Sequence, residues 1–251
     1  MTPVHEKLRN EEPVPILMYH QIALPAPRGT SFRSLTVHPK SFERQMRWMH
    51  KLGYRGLSMR DLTPYLRGER SGKVFGITFD DGFRNVFLNA LPVLKELGFT
   101  STNYLVANQF DGGNVWDAQN NVPFSPLMSK EEAKRWSQSG QEVGSHTLDH
   151  VHLTELSSEQ ARHQITQSRT VLSEAVDQDV TAFCYPYGDF TQEHAAMAAE
   201  AGYSNATTTR RGLAGIQDHP FLLPRVGIWR STHLLKFFQK CLTQYEDRRR
   251  V

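Results

Sequence analysis

Cysteine is scarce in this chain: Cys184 and Cys241 are the only two among 251 residues. Two thiols so far apart cannot form a disulfide framework, and a chain of this length buries a sufficient core without covalent staples. Long apolar runs are also missing. No stretch approaches the roughly 20 consecutive apolar residues of a membrane-spanning helix, so a transmembrane segment is not expected. The opening MTPVHEKLRNEEPVPILMYH places charges before a short apolar run and offers no small-residue cleavage site. It does not read as a secretory signal, and a cytoplasmic location is the expectation. Charge of one sign is modest, at a formal net +3. Part of that excess lies in Arg248, Arg249 and Arg250, a run that reads as a solvated terminus. Nucleic-acid binding would call for a dense basic face with interleaved aromatics, and none is visible. Internal repeats, low-complexity stretches and Pro/Gly/Ser linkers are absent too. One domain over 1–251 is expected, closing with a helix and basic tail over 231–251.

What the sequence does contain is alternation. Val14–Ile22, Val74–Phe79, Thr100–Val106, Glu142–Ser145, Val180–Tyr185, Tyr203–Thr207 and Leu222–Ile228 read as strands. Ser41–Leu52 carries Phe42, Met46 and Met49 at helical spacing and ends at Gly53. Helices are also predicted after Ser58 to Leu66, over Val86–Leu97, from the Ser129/Glu132 capping box to Gly140, over Ser157–Val176, over Thr191–Ala201 and near Ser231–Leu242. Strands alternating with helices imply parallel pairing and an α/β fold, with a barrel or incomplete barrel as its closure. The polar stretch Ala107–Leu127, with adjacent glycines and Trp116, reads as a long loop of the kind that tends to be functional.

Reactive side chains follow three of these strands. Asp80 and Asp81 sit side by side in Thr78-Phe79-Asp80-Asp81-Gly82, a costly pairing unless a cation or specific donors divide their roles. His146 and His150 stand four apart in His146-Thr147-Leu148-Asp149-His150, and on a helical turn both imidazoles would share one face. His152 is offset from that face, and Asp149 reads as solvated or supporting. One carboxylate and two imidazoles form a ligand set that leaves positions open for water and substrate, which points to catalysis rather than to a closed structural site. Phe183-Cys184-Tyr185-Pro186-Tyr187-Gly188 is the third segment, a turn able to aim a backbone N–H at a developing oxyanion.

In that order, TFDDG (78–82), HTLDH (146–150) and YPYG (185–188) resemble the polysaccharide deacetylases of carbohydrate esterase family 4, the NodB homology domain. The likeness runs from about residue 15 to 228. It implies a distorted (β/α) barrel with fewer than eight βα units. It further implies that Asp81, His146 and His150 bind one divalent metal ion, commonly zinc, with cobalt, nickel or iron in some members. Asp80 would be the general base, and the Tyr187 N–H would stabilise the oxyanion.

Two departures qualify the likeness. Most members have an arginine where this chain has Cys184; Arg225, in Leu223-Pro224-Arg225-Val226, is the candidate to steady the base instead. The late Leu-x-x-His motif of the general acid is missing. Ile16-Leu17-Met18-Tyr19-His20-Gln21-Ile22 is similar to the N-terminal Tyr-His segment of the poly-N-acetylglucosamine deacetylase branch, which nominates His20 as the acid.

Trp116, Tyr187 and Trp229 are candidates to stack on sugar rings. The implied activity is metal-dependent release of acetate from an N-acetylhexosamine-containing glycan or precursor. An O-acetyl carbohydrate esterase and a hydrolase of small non-sugar amides are the alternatives on the same fold. A catalytically dead carbohydrate-binding module is disfavoured, since binding alone needs neither Asp80 nor His20.

Overall fold

The computed structural model describes residues 13–250. Its first half runs β1 (Ile16–Tyr19), β2 (Gln21–Ile22), β3 (Thr36–Val37), α1 (Pro39–Lys51), β4 (Arg55–Leu57), α2 (Met59–Leu66), β5 (Val74–Phe79), α3 (Arg84–Asn89), α4 (Leu91–Leu97) and β6 (Thr102–Leu105). The second half continues with α5 (Lys130–Gln138), β7 (Glu142–Ser145), α6 (Ser158–Val176), β8 (Ala182–Cys184), α7 (Gln192–Glu200), β9 (Asn205–Arg211), β10 (Leu223–Gly227) and α8 (Leu234–Leu242).

All seven strands of a closed ring are parallel, in the order β1-β10-β9-β8-β7-β6-β5 and back to β1. The eighth strand, β4, pairs with Val74–Gly76 of β5, while β6 takes Thr78 and Phe79 further along. Two strands therefore divide β5 between them, and the barrel is distorted rather than eightfold. Helices cover the outside, so β1, β5, β6, β7, β8 and β10 are buried along their whole length. Every residue of β5 is buried. Helix α1 turns Phe42, Met46 and Met49 inward, as their spacing predicts. The Ser129–Glu132 capping box opens α5 in both directions.

Elsewhere the chain departs from its periodicity. The apolar run 14–22 makes two short strands: β1 joins the ring, while β2 pairs with β3 in a separate sheet, leaving His20 at the joint. The run 86–97 breaks into α3 and α4, because Pro92 has no N–H for the Leu88 carbonyl and crowds that turn. Strand β4, with Gly56 at its centre, carries too short a pattern to read. Strand β9 extends to Arg211, beyond the apolar part that marks its start.

Far from the strand ends that carry chemistry, Glu142 supports the start of α2. One carboxylate oxygen accepts from the Arg60 N–H (2.9 Å) and from the Thr102 hydroxyl (2.6 Å); the other has no partner among the described residues. Burial pushes the Glu142 carboxyl above its ordinary value, outweighing those two hydrogen bonds. Its contribution to stability is therefore fullest below the ordinary carboxylate range and is lost as pH rises through the raised value. Glu142→Gln keeps the acceptor and removes the charge. It is expected to raise the melting temperature at pH 7, at about 2–4 °C for each kcal/mol gained, with the gain shrinking towards pH 4. Thermal scans showing an equal or lower midpoint at pH 7 would reject this.

Candidate active site

The reactive residues collect where the parallel strands end, which is where a barrel of this kind places its chemistry. Asp80 and Asp81 follow β5, His146 follows β7, the turn Pro186–Gly188 follows β8, and His20 follows β1. Arg225 reaches in from β10 itself.

Asp81, His146 and His150 converge although they are distant in sequence. The Nε2 atoms of His146 and His150 lie 3.5 Å and 3.3 Å from Asp81 Oδ1. Tetrahedral bonds of about 2.0–2.1 Å put neighbouring donor atoms about 3.3–3.4 Å apart, so these separations fit one cation of zinc size shared by the three. His146 is aimed by its other ring nitrogen: Nδ1–H donates to the Cys184 carbonyl (2.7 Å), leaving Nε2 for the cluster. Burial would raise the Asp81 carboxyl, yet the two imidazoles beside it hold it far below the ordinary carboxylate range.

The histidine pair does not sit on a helical turn. Residues 146–150 form an irregular turn in which Thr147 (φ 68°) and His150 (φ 58°) are left-handed. The Thr147 hydroxyl accepts the His150 N–H (3.0 Å) and locks this shape. The two imidazoles therefore meet through backbone reversal, not through helical spacing. Four non-glycine residues at the site have positive φ: Asp81, Thr147, His150 and Tyr187. Such conformations cost about 1–3 kcal/mol each and persist where the surroundings over-determine them. Next to Tyr187, Gly188 (φ 78°) is required twice over: a Cβ there would fall 1.9 Å from the Thr209 hydroxyl.

Asp80 stands apart from the trio and is gripped from β10. Arg225 donates from Nη1 to Oδ1 (2.6 Å) and from Nη2 to Oδ2 (2.8 Å), a two-pronged pair with Arg225 only 1% exposed. The same guanidinium donates to the Thr78 hydroxyl (3.0 Å) and the Thr208 carbonyl (2.9 Å), and its Nη2 lies 3.1 Å from Cys184 Sγ. Cys184 thus borders the guanidinium, and the positive charge reaches Asp80 from β10. Burial alone would raise the Asp80 carboxyl; Arg225 reverses this and holds it below its ordinary value. His20 also stands near this carboxylate, with Nε2 4.0 Å from Asp80 Oδ2.

A cleft of about 100 Å³ is lined by His20, Asp80, Asp81, His146 and His150 together with Phe32, Leu35, Trp116, Asp117, Tyr185, Tyr187 and Thr209. That is far below the ~300–1,000 Å³ of sites that enclose a drug-sized ligand. It has room for a small acyl group, with the bulk of a substrate left at the rim. Trp116 comes from the long loop, where 115–120 form a 3-10 turn, and its ring stacks on His150 (centroids 4.3 Å apart). Tyr187 meets His150 edge-on (4.6 Å) and is 40% exposed. Trp229 is placed differently: its ring is 6.3 Å from that of His20, and it lines a neighbouring cavity, not this cleft.

His152 and Asp149 stay outside the trio, as their positions predict, and take supporting roles, whereas Asp117 is visible only in the structure. His152 pairs with Asp189 and stacks flat on Tyr187 (3.8 Å), fixing the aromatic ring at the rim. Asp149 holds the start of the long loop by accepting from Asn108 (2.8 Å) and also accepts from Gln164 (2.7 Å). Asp117 reaches the cleft, where burial and then Asp81 push its carboxyl up. Asp117 belongs to no strand-end motif, so nothing in spacing could flag it.

A parallel barrel whose mouth holds a buried carboxylate–imidazole trio, with a second carboxylate clamped beside it, has the parts of a hydrolytic enzyme. Comparison with known proteins then makes the class specific. The chain belongs to the polysaccharide deacetylase family, which residues 67–206 match. YxkH of Bacillus subtilis, whose name carries polysaccharide deacetylase, is 30% identical over 225 residues, covering 88% of this chain and 74% of that protein. The poly-β-1,6-N-acetyl-D-glucosamine N-deacetylase of Staphylococcus epidermidis is 22% identical over 204 residues, covering 77% of this chain and 68% of its own length. The deacetylase PplD of Streptococcus pyogenes, solved with acetate, superposes with a TM-score of 0.82 at 25% identity, over 92% of this chain and 99% of that one. Among the described residues no helix is long and apolar enough to cross a membrane.

Proposed function

We propose that the chain is a metal-dependent N-deacetylase, hydrolysing the amide of N-acetylated amino sugars and releasing acetate. The observation that carries this reading is the trio Asp81, His146 and His150, spaced for one divalent cation, zinc by preference, beside the separate carboxylate of Asp80. An ion held there would supply Lewis-acid polarisation of the acyl carbonyl and increased acidity of water, matching a base of low basicity.

The chain's own residues divide the remaining work. Asp80, kept ionised by Arg225, takes the proton of the attacking water. His20, whose Nε2 lies 4.0 Å from Asp80, returns a proton to the departing nitrogen, without which an amine leaves poorly. The left-handed turn at Tyr187 directs its backbone N–H towards the developing oxyanion. Trp116 walls off the trio, and Tyr187 offers an aromatic face to the sugar at the rim. The Staphylococcus relative, named for poly-N-acetylglucosamine N-deacetylation, supports an N-acetylhexosamine as substrate.

Acetate release from chitooligosaccharides, β-1,6-linked N-acetylglucosamine oligomers and O-acetylated sugars tests the proposal. Release from an N-acetylated oligomer should vanish on chelation and return with added zinc or cobalt. Chelator-insensitive release, or release from O-acetyl sugars alone, would overturn it.

A further inference from the structure

A second cavity, of about 290 Å³, opens between the ends of β1, β9 and β10 and helix α8. It adjoins the catalytic cleft, since Thr209 lines both, and Trp229 on its wall lies 6.3 Å from His20. Its lining is basic. Arg211, Lys236, Lys240 and Arg249 all border it, and no carboxylate does.

Behind the wall stands one buried counter-charge, Glu246. Lys240 Nζ donates to Glu246 Oε1 (2.7 Å), and Arg211 Nε donates to Glu246 Oε2 (2.8 Å). A single carboxylate thus answers two cations, one of which, Lys240, is only 3% exposed. Lys240 also donates to the Gly227 carbonyl (2.9 Å). An ammonium has three N–H bonds, so one remains for the cavity that this side chain borders. Lys236 and Arg249 have no carboxylate within ion-pair distance among the described residues; Arg249 lies over the Tyr245 ring (4.0 Å). The adjacent Asp247 is engaged elsewhere, accepting the Leu213 N–H (2.8 Å). Positive charge in excess, partly desolvated and crowded around a cavity, lowers the energy of an anion placed there.

We propose that this cavity is a subsite for a phosphate group carried by the acetylated sugar, within about one sugar unit of the amide being cleaved. The inference rests on the deacetylase reading for its role in turnover, but not for the binding itself. A phosphate suits the site better than a carboxylate, because its larger charge and additional acceptor oxygens match several donors converging from different directions.

Two measurements test it together. Calorimetric titration with inorganic phosphate should show binding to the wild-type protein, weakened about tenfold or more in Lys236→Ala/Arg249→Ala, both rim positions. The kcat/KM for N-acetylglucosamine 1-phosphate should exceed that for the neutral methyl glycoside by about tenfold or more. That ratio should shrink in the double variant and with rising salt, as screening requires. Lys236→Gln alone should give a graded loss of the same ratio. Phosphate binding that the double variant leaves unchanged would overturn the subsite, as would a glucuronate-bearing sugar matching the phosphorylated one. Variant-sensitive phosphate binding with no sugar deacetylated would support the subsite and overturn the deacetylase reading instead.

Discussion

Asp80→Asn is expected to lower turnover by about 10²–10⁴-fold, the usual range for removing a positioned base, while the protein keeps its metal. The two halves of this expectation separate Asp80 from its neighbour. Asparagine preserves shape and still offers one oxygen to Arg225, but it cannot take a proton. Asp80 also stands outside the Asp81, His146 and His150 trio, so the cation should remain bound. Rates are best compared well below the melting temperature of the variant, because Arg225 loses part of its counter-charge. Metal content near one equivalent with residual activity in that range is the predicted result. An Asp80→Asn enzyme retaining most of its activity would move the base elsewhere, and loss of metal would merge Asp80 with the ligand set.

Arg225→Met has the second large effect, and it falls first on stability. The substitution leaves a carboxylate that is 3% exposed without its counter-charge. Breaking a buried pair in this way costs about 3–5 kcal/mol, a large part of the ~5–15 kcal/mol that holds a domain together. At about 2–4 °C per kcal/mol for a chain of this size, the midpoint should drop by roughly 10 °C. Asp80→Asn introduced into the same background should return much of the loss, since an amide needs no counter-charge. Thermal melts of both single variants and the double variant close the cycle. Additive losses would mean that Arg225 and Asp80 act independently, against the 2.6 Å and 2.8 Å bonds between them.

How much of this was legible beforehand depended on the range of the determinant. Strand–helix alternation is local and repeats, so the barrel could be read from Val74–Phe79 and its counterparts. The order of TFDDG, HTLDH and YPYG pointed to the site for the same reason: each motif lies at a strand end, and parallel closure brings strand ends together. Arg225 could be nominated by a missing residue at 184, but its forked grip on Asp80 depends on ring closure, which sets β10 and β5 on either side of β1.

What local pattern could not supply was backbone reversal. His146 and His150 read as a helical pair because four-residue spacing suggests it, whereas two left-handed residues, Thr147 and His150, bring them together. His20 read as part of one strand, Val14–Ile22, because the apolar run continues past it, although β1 ends at Tyr19 and β2 leaves for another sheet. The division of 86–97 by Pro92 was visible in principle, since proline marks such breaks. Trp229 drew notice as an aromatic able to stack on a sugar, but only the fold separates the cleft of Asp80 and Asp81 from the basic cavity that Trp229 lines.

Zinc titration of metal-stripped protein tests the central claim most directly, with wild type compared against Asp81→Ala, His146→Ala and His150→Ala. One equivalent should bind tightly to the wild type, and each variant should lose at least about tenfold in affinity, since removing a donor costs more than the 10–100-fold seen for supporting groups. Unchanged one-to-one binding in all three variants would place the ion elsewhere and contradict the account.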